Sequence, residues 1–129
     1  MDAETRTLAG DLRRQSSGEI ADWLINRYPL VSINWGKALL LLDHLSVEKQ
    51  DARRLANHYL SQLPYASDHV YRIFTKLLGP DELVKIIRDF VPSEQKRRDL
   101  LRYHLSPILR GAARSSEHEQ ALWRSLIPD

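Results

Sequence analysis

The sequence predicts an all-α protein, and three observations carry that expectation. Apolar residues recur at helical spacing in nearly every segment of the 129-residue chain. No stretch alternates apolar and polar positions with β-branched residues, and the hairpin dipeptides Asn-Gly and Asp-Gly are missing. Serine, aspartate, proline and glycine mark helix starts and stops at regular intervals. The expected architecture is a compact bundle of about eight short helices, forming one domain over residues 1–129.

In chain order, Asp2 and Glu4 open a first helix and Arg13 and Arg14 close it, the charge order that a helix dipole favours. Ser16-Ser17-Gly18-Glu19 reads as a capping box, with Ser16 as N-cap and Glu19 at N3. The second helix carries Ile20, Trp23, Leu24 and Tyr28 and stops before Pro29, which disfavours helical geometry at Tyr28. A third helix spans Ser32 to Leu45, capped by Ser32 or Asn34, with Ile33, Trp35, Ala38, Leu39, Leu41, Leu42 and Leu45 inward. It is apolar over most of its circumference, and Trp35 and Leu40 lie at the edge of what a core needs. If either is exposed, this helix is part of a docking face.

Ser46 is the expected cap of a fourth helix, whose stripe of Ala52, Leu55, Ala56, Tyr59, Leu60 and Leu63 ends at Pro64. Ser67 caps a fifth, with Val70, Ile73, Phe74, Leu77 and Leu78 inward. Gly79-Pro80-Asp81-Glu82 ends that helix and starts the sixth: glycine suits the C′ position, proline the first turn and the acids the positive end. Leu83, Ile86, Ile87 and Phe90 follow, up to Pro92. Ser93 caps a seventh helix, which Pro107 is expected to kink or break. A capping box at Ser116–Glu119 starts the last, with Leu122, Trp123, Leu126 and Ile127.

Composition bounds the class. Hydrophobic residues make up 43% and charged residues 28%, as in ordinary globular domains. The absence of cysteine excludes disulfides, thiolate metal sites and cysteine nucleophiles, and fits a cytoplasmic setting. The acidic, polar start is not a secretory signal, and the longest apolar run, Ala38 to Leu42, is too short to span a membrane. The net charge of +2 implies no polyanionic partner by itself.

A shift of 45 residues lays the fourth helix over the seventh, pairing Gln50 with Gln95, Arg53 with Arg98, Leu55 with Leu100 and Leu60 with Leu105. That period resembles the spacing of HEAT and armadillo repeats. Helical-repeat packing and a compact bundle both accommodate it.

Catalytic and cofactor signatures are missing. The five glycines are scattered, so no phosphate-cradling loop exists, and there is no His-Glu-x-x-His or Gly-x-Ser-x-Gly. His44, His58, His69, His104 and His118 sit on separate helices at no ligand spacing. No catalytic residue, cofactor or metal is expected, and the chain does not read as an enzyme.

Two surfaces remain. Ser67 to Phe74 resembles the start of a helix-turn-helix recognition helix, with residues 52–76 as the whole segment. That resemblance implies that Asp68, His69, Arg72 and Lys76 point toward bases or phosphates. The connection at residues 62–66 lacks the usual glycine and is several residues too long. The second surface is the basic helix at 93–114, where Lys96, Arg97, Arg98 and Arg102 are expected to make one flank cationic. The leading expectation is a small intracellular protein-interaction module: an adaptor, a regulator, or an inhibitor or immunity-type partner. The alternative is a nucleic-acid-binding protein that uses these two surfaces. A membrane partner is not expected, and nothing in the sequence sets an oligomeric state.

Overall fold

The computed structural model describes residues 2–65 and 67–127. Met1, Pro128 and Asp129 lie outside them, as does Ala66 of the expected turn. Among the described residues there are eight α-helices and no strand. They are α1 (Ala3–Leu12), α2 (Ser17–Arg27), α3 (Gly36–Leu42), α4 (Lys49–Tyr59), α5 (His69–Leu78), α6 (Pro80–Arg88), α7 (Gln95–Ala112) and α8 (Ser116–Leu126). They fall into two compact units, residues 1–58 and 59–129.

In the first unit, the apolar stripes form the core that the sequence implies. Leu12, Ile20, Leu24, Tyr28, Leu39, Leu42 and Leu55 are buried, and α1 packs on α3. The Asp2 carboxylate accepts from the Thr5 N–H at 2.7 Å, the cap that starts α1. The capping box of α2 is complete: Ser16 Oγ accepts from the Glu19 N–H, and Glu19 accepts from the Ser16 N–H at 3.1 Å. Polar ties join the helix ends. The Arg13 guanidinium donates to the His44 carbonyl at 2.9 and 3.2 Å. Arg54 bridges α4 to α2 through Asp22 at 2.5 Å and the Gly18 carbonyl at 3.2 Å.

Two expectations fail in this unit. The third helix begins at Gly36 rather than Ser32, because Ser32 organises a turn instead. Its Oγ accepts from the Asn34 N–H at 3.2 Å and its carbonyl from the Trp35 N–H at 3.2 Å. Ile33 therefore sits in the turn, 97% exposed, not on a core stripe. Ser46 does not cap α4, which starts three residues later. The Glu48 carbonyl accepts from Asp51 and Ala52, and the Glu48 N–H donates to Ser17 Oγ at 2.7 Å.

The second unit is a closed ring of four helices. α6 packs on α5 and α8, and α7 completes the ring against α5 and α8. Leu78, Leu83, Ile87, Leu101, Leu105, Leu109 and Leu122 fill its centre. Gly79 alone joins α5 to α6, at φ 84°, a conformation that favours glycine. Ahead of α5, Tyr65 acts as a clasp: its hydroxyl donates to the Tyr59 carbonyl, and its N–H donates to the Tyr71 hydroxyl at 3.3 Å. Tyr59 and Tyr71 are fully buried.

Helix caps in this unit depart from the sequence reading. Glu94, not Ser93, occupies the N-cap position of α7, and Asp68, not Ser67, that of α5. Ser115 caps α8, its Oγ accepting from the His118 N–H at 3.1 Å, so the Ser116–Glu119 box does not form. His118 takes over the reciprocal role: its Nδ1 accepts from the Arg114 N–H at 3.0 Å. Pro107 does not break α7, which runs unbroken through it. Leu105 and Leu109 are buried on either side and hold both halves to one core, so a single lost hydrogen bond is tolerated. The 45-residue shift lays α3 on α6, but α7 has 18 residues against 11 for α4.

Candidate functional site

The six cations singled out in the sequence all lie in the second unit, on two helices. Buried Leu101, Leu105 and Leu109 define the inner side of α7. At 3.6 residues per turn, Lys96 lies opposite that side and Arg97 beside it, while Arg98 and Arg102, four residues apart, share one direction, so the four α7 cations do not form a single flank. Lys96 faces outward and is exposed. The Arg97 guanidinium donates to the Leu63 carbonyl at 2.9 Å. Arg98 turns toward the helix start, donating to the Pro92 carbonyl at 2.9 Å and the Ser93 carbonyl at 3.2 Å. Arg102 is exposed on the α8 side.

Arg72 and Lys76 share the outer side of α5, on the wall of a shallow groove whose other wall is Pro107, Ile108, Gly111 and Ala112 of α7. Arg72 pairs with Asp68 at 2.6 Å. That hydrogen bond holds the Asp68 carboxyl below its ordinary range. So α7 stands between the Arg72–Lys76 pair and Arg102. Nine residues, 60 to 68, lie between α4 and α5, against the three or four of an ordinary helix-turn-helix connection.

Several apolar side chains are exposed, of which the sequence marked Leu40 alone as a candidate. Val31 is 92% and Ile33 97% exposed, on the turn between α2 and α3. That turn is not slack. The Ser32 N–H donates to the Pro29 carbonyl at 2.9 Å, and the Leu30 N–H donates to His58 Nε2 at 3.3 Å. Partial burial lowers the affinity of His58 for a proton, which keeps this ring an acceptor. Leu40 is half-exposed on α3, between Asp2, Thr5, Asp43 and His44. On the outward face of α7, Leu100 and Tyr103 are exposed at i and i+3. The signal for the turn was present in Ser32 and Asn34, residues that hydrogen-bond their own backbone in turns; hydrophobic periodicity overrode it.

A second groove lies between α7 and α8, lined by Arg102, Ser106, Trp123, Arg124 and Ile127, with a volume of about 330 Å³. Trp123 and Ile127 are half-buried there, although both read as inward-facing in the sequence. At the opposite end of α8, His118 meets Asp81 at 2.9 Å, with Arg114 3.8 Å from the same carboxylate. The hydrogen bond from His118 is the main reason that the Asp81 carboxyl is held low. His118 Nδ1 is already an acceptor, so its Nε2 carries the proton toward Asp81. This cluster ties α6 to α8.

Among the described residues, no group of three histidine or acidic side chains is placed to hold a metal ion. None of the helices is long and apolar enough to cross a membrane. Comparison of the chain with protein-family models, with curated proteins and with solved structures finds no match.

Proposed function

We propose that this chain is a small protein-interaction module, an adaptor, regulator or inhibitor that binds a larger protein without catalysing a reaction. A cytoplasmic setting suits a chain without cysteine. The observation that carries the reading is the pair Val31 and Ile33, held almost fully in solvent by a hydrogen-bonded turn. Burying a side chain of that size against a partner is worth about 1.5–3 kcal/mol. A turn braced at Pro29, Ser32 and His58 presents both with little ordering left to lose on binding. Leu40 on α3 adds apolar surface within the same unit.

Nucleic-acid binding is the alternative, and the cation placement favours it less. Arg97 and Arg98 are engaged with backbone carbonyls and Arg72 with Asp68. Phosphate recognition draws on cations that can reach a common backbone track.

The test is the double variant Val31→Ser/Ile33→Ser in the full chain. Helical signal and thermal midpoint are expected to stay within the range of surface substitutions, about ±0.5 kcal/mol. A photo-crosslinker at position 33 is expected to capture one discrete protein from native extract, and the double variant to lose it on co-purification. Unchanged co-purification by the variant, or capture of RNA or DNA only, overturns the reading.

A further inference from the structure

The second unit contains eight arginines, at 72, 88, 97, 98, 102, 110, 114 and 124. Five are engaged: Arg72 with Asp68, Arg97 with the Leu63 carbonyl, Arg98 with Pro92 and Ser93, Arg110 near Glu119 at 3.9 Å, and Arg114 near Asp81 at 3.8 Å. Of the remaining three, Arg88, Arg102 and Arg124, the last two share one groove. Neither guanidinium makes a hydrogen bond or ion pair among the described residues, and both line the α7–α8 groove. Trp123 and Ile127 line the same groove. Among the described residues, no carboxylate lines it.

Resting on the interaction-module reading, we infer that this groove is the docking site for an acidic segment of a protein partner, one that presents a carboxylate beside a large apolar side chain. Two cations at one cleft, with no counter-charge there among the described residues, raise the local concentration of anions. The guanidinium fork matches a carboxylate through paired N–H donors, which a lysine does not. Trp123 and Ile127 supply the apolar contact that a lone ion does not use. The Ser106 hydroxyl donates to the Arg102 carbonyl at 2.6 Å, which leaves its lone pairs toward the groove for a peptide N–H. A volume of about 330 Å³ accommodates one large side chain. A nucleic-acid strand instead tracks a row of cations, and here Arg97 and Arg98 are engaged with backbone carbonyls while Lys96 lies on the outward face.

The test is a titration of the isotope-labelled full-length protein, followed by its tryptophan indole N–H signals. Trp123 is assigned as the signal lost in Trp123→Phe. The probe is the peptide acetyl-Glu-Phe-Glu-Leu-amide, with acetyl-Gln-Phe-Gln-Leu-amide and a short single-stranded RNA as comparisons. The acidic peptide is expected to shift the Trp123 signal saturably, weakening as salt is raised, while Trp23 and Trp35 stay still. Arg102→Gln and Arg124→Gln are each expected to weaken binding about threefold, as for exposed ion pairs, and their combination about tenfold. Both arginines are exposed, so these variants fold. An absent Trp123 response at millimolar peptide, an equal response to the glutamine peptide, unchanged binding by the double variant, or tighter binding of RNA each overturn the inference. The Val31→Ser/Ile33→Ser variant is expected to give the same titration, so a failed groove and a failed loop surface are told apart.

Discussion

The Leu30 N–H donates to Nε2 of His58 at 3.3 Å, which ties the last turn of α4 to the loop that holds Val31 and Ile33 outward. A ring nitrogen can accept that bond only while it is unprotonated. Burial lowers the folded-state pKa of His58 below its ordinary value of 6.5. Below about pH 6.5 the unfolded chain therefore takes up a proton that the folded chain resists, and stability falls as pH falls.

The thermal midpoint is accordingly expected to drop by a few degrees between pH 7.5 and pH 5.5. His58→Gln keeps an acceptor but cannot titrate, and is expected to flatten that part of the profile. An identical slope in the variant would assign the dependence to other groups. The Leu30 amide signal is the local check, since its protection from hydrogen exchange, relative to an unstructured amide at the same pH, should fall as pH falls through this range.

Gly79 supplies the whole connection between α5 and α6 at φ 84°, and a Cβ added there meets nothing within 4 Å. The penalty of Gly79→Ala is therefore one of backbone conformation alone, about 1–2 kcal/mol of destabilisation. Gly10 lies inside α1 with equally open space around its Cα. Gly10→Ala is expected to move the other way, stabilising by about 0.5–1 kcal/mol. Denaturant midpoints of the two variants should fall on opposite sides of the parent.

Pro107 is exposed and interior to α7, where it cannot donate to the Tyr103 carbonyl. Pro107→Ala restores that donor and removes a ring from the helix. It is expected to stabilise the fold by about 1–3 kcal/mol, less than the full proline penalty because the helix already accommodates the ring. A lower midpoint would mean that the proline packs favourably where it stands.

Arg97 and Arg98 are braces. Arg97→Gln and Arg98→Gln are each expected to cost about 1 kcal/mol of stability, the net worth of hydrogen bonds to a charged donor that is partly in water. Arg97→Lys is expected to cost nearly as much despite its unchanged charge, since lysine has no fork to reach the Leu63 carbonyl. Lys96→Gln, on the outward face, should leave the unfolding midpoint in place.

Helix class and most helix positions were legible because apolar spacing and capping chemistry act locally: the Ser16–Glu19 box and the Gly79-Pro80 joint stand as expected. What was not legible depends on competition between local signals and on tertiary partners. Ser32 could start a helix or fold a turn, and only the turn's hydrogen bonds decide that Ile33 is outside. Pro107 survives in α7 because of leucines on both sides that bury against other helices. The basic helix looked like one charged flank because charge count does not register which carbonyls the arginines reach.

The clasp at Tyr65 bears on how the chain reaches its fold. Its two hydrogen bonds reach six residues back, to Tyr59, and six residues forward, to Tyr71. α6 and α8 meet only after a much longer loop closes, and the entropy lost in closure grows with loop length. The segment from Tyr59 to Tyr71 thus favours its own early closure, ahead of the ring of helices that later surrounds it. It is a place where folding of the second unit can begin from neighbours in the chain.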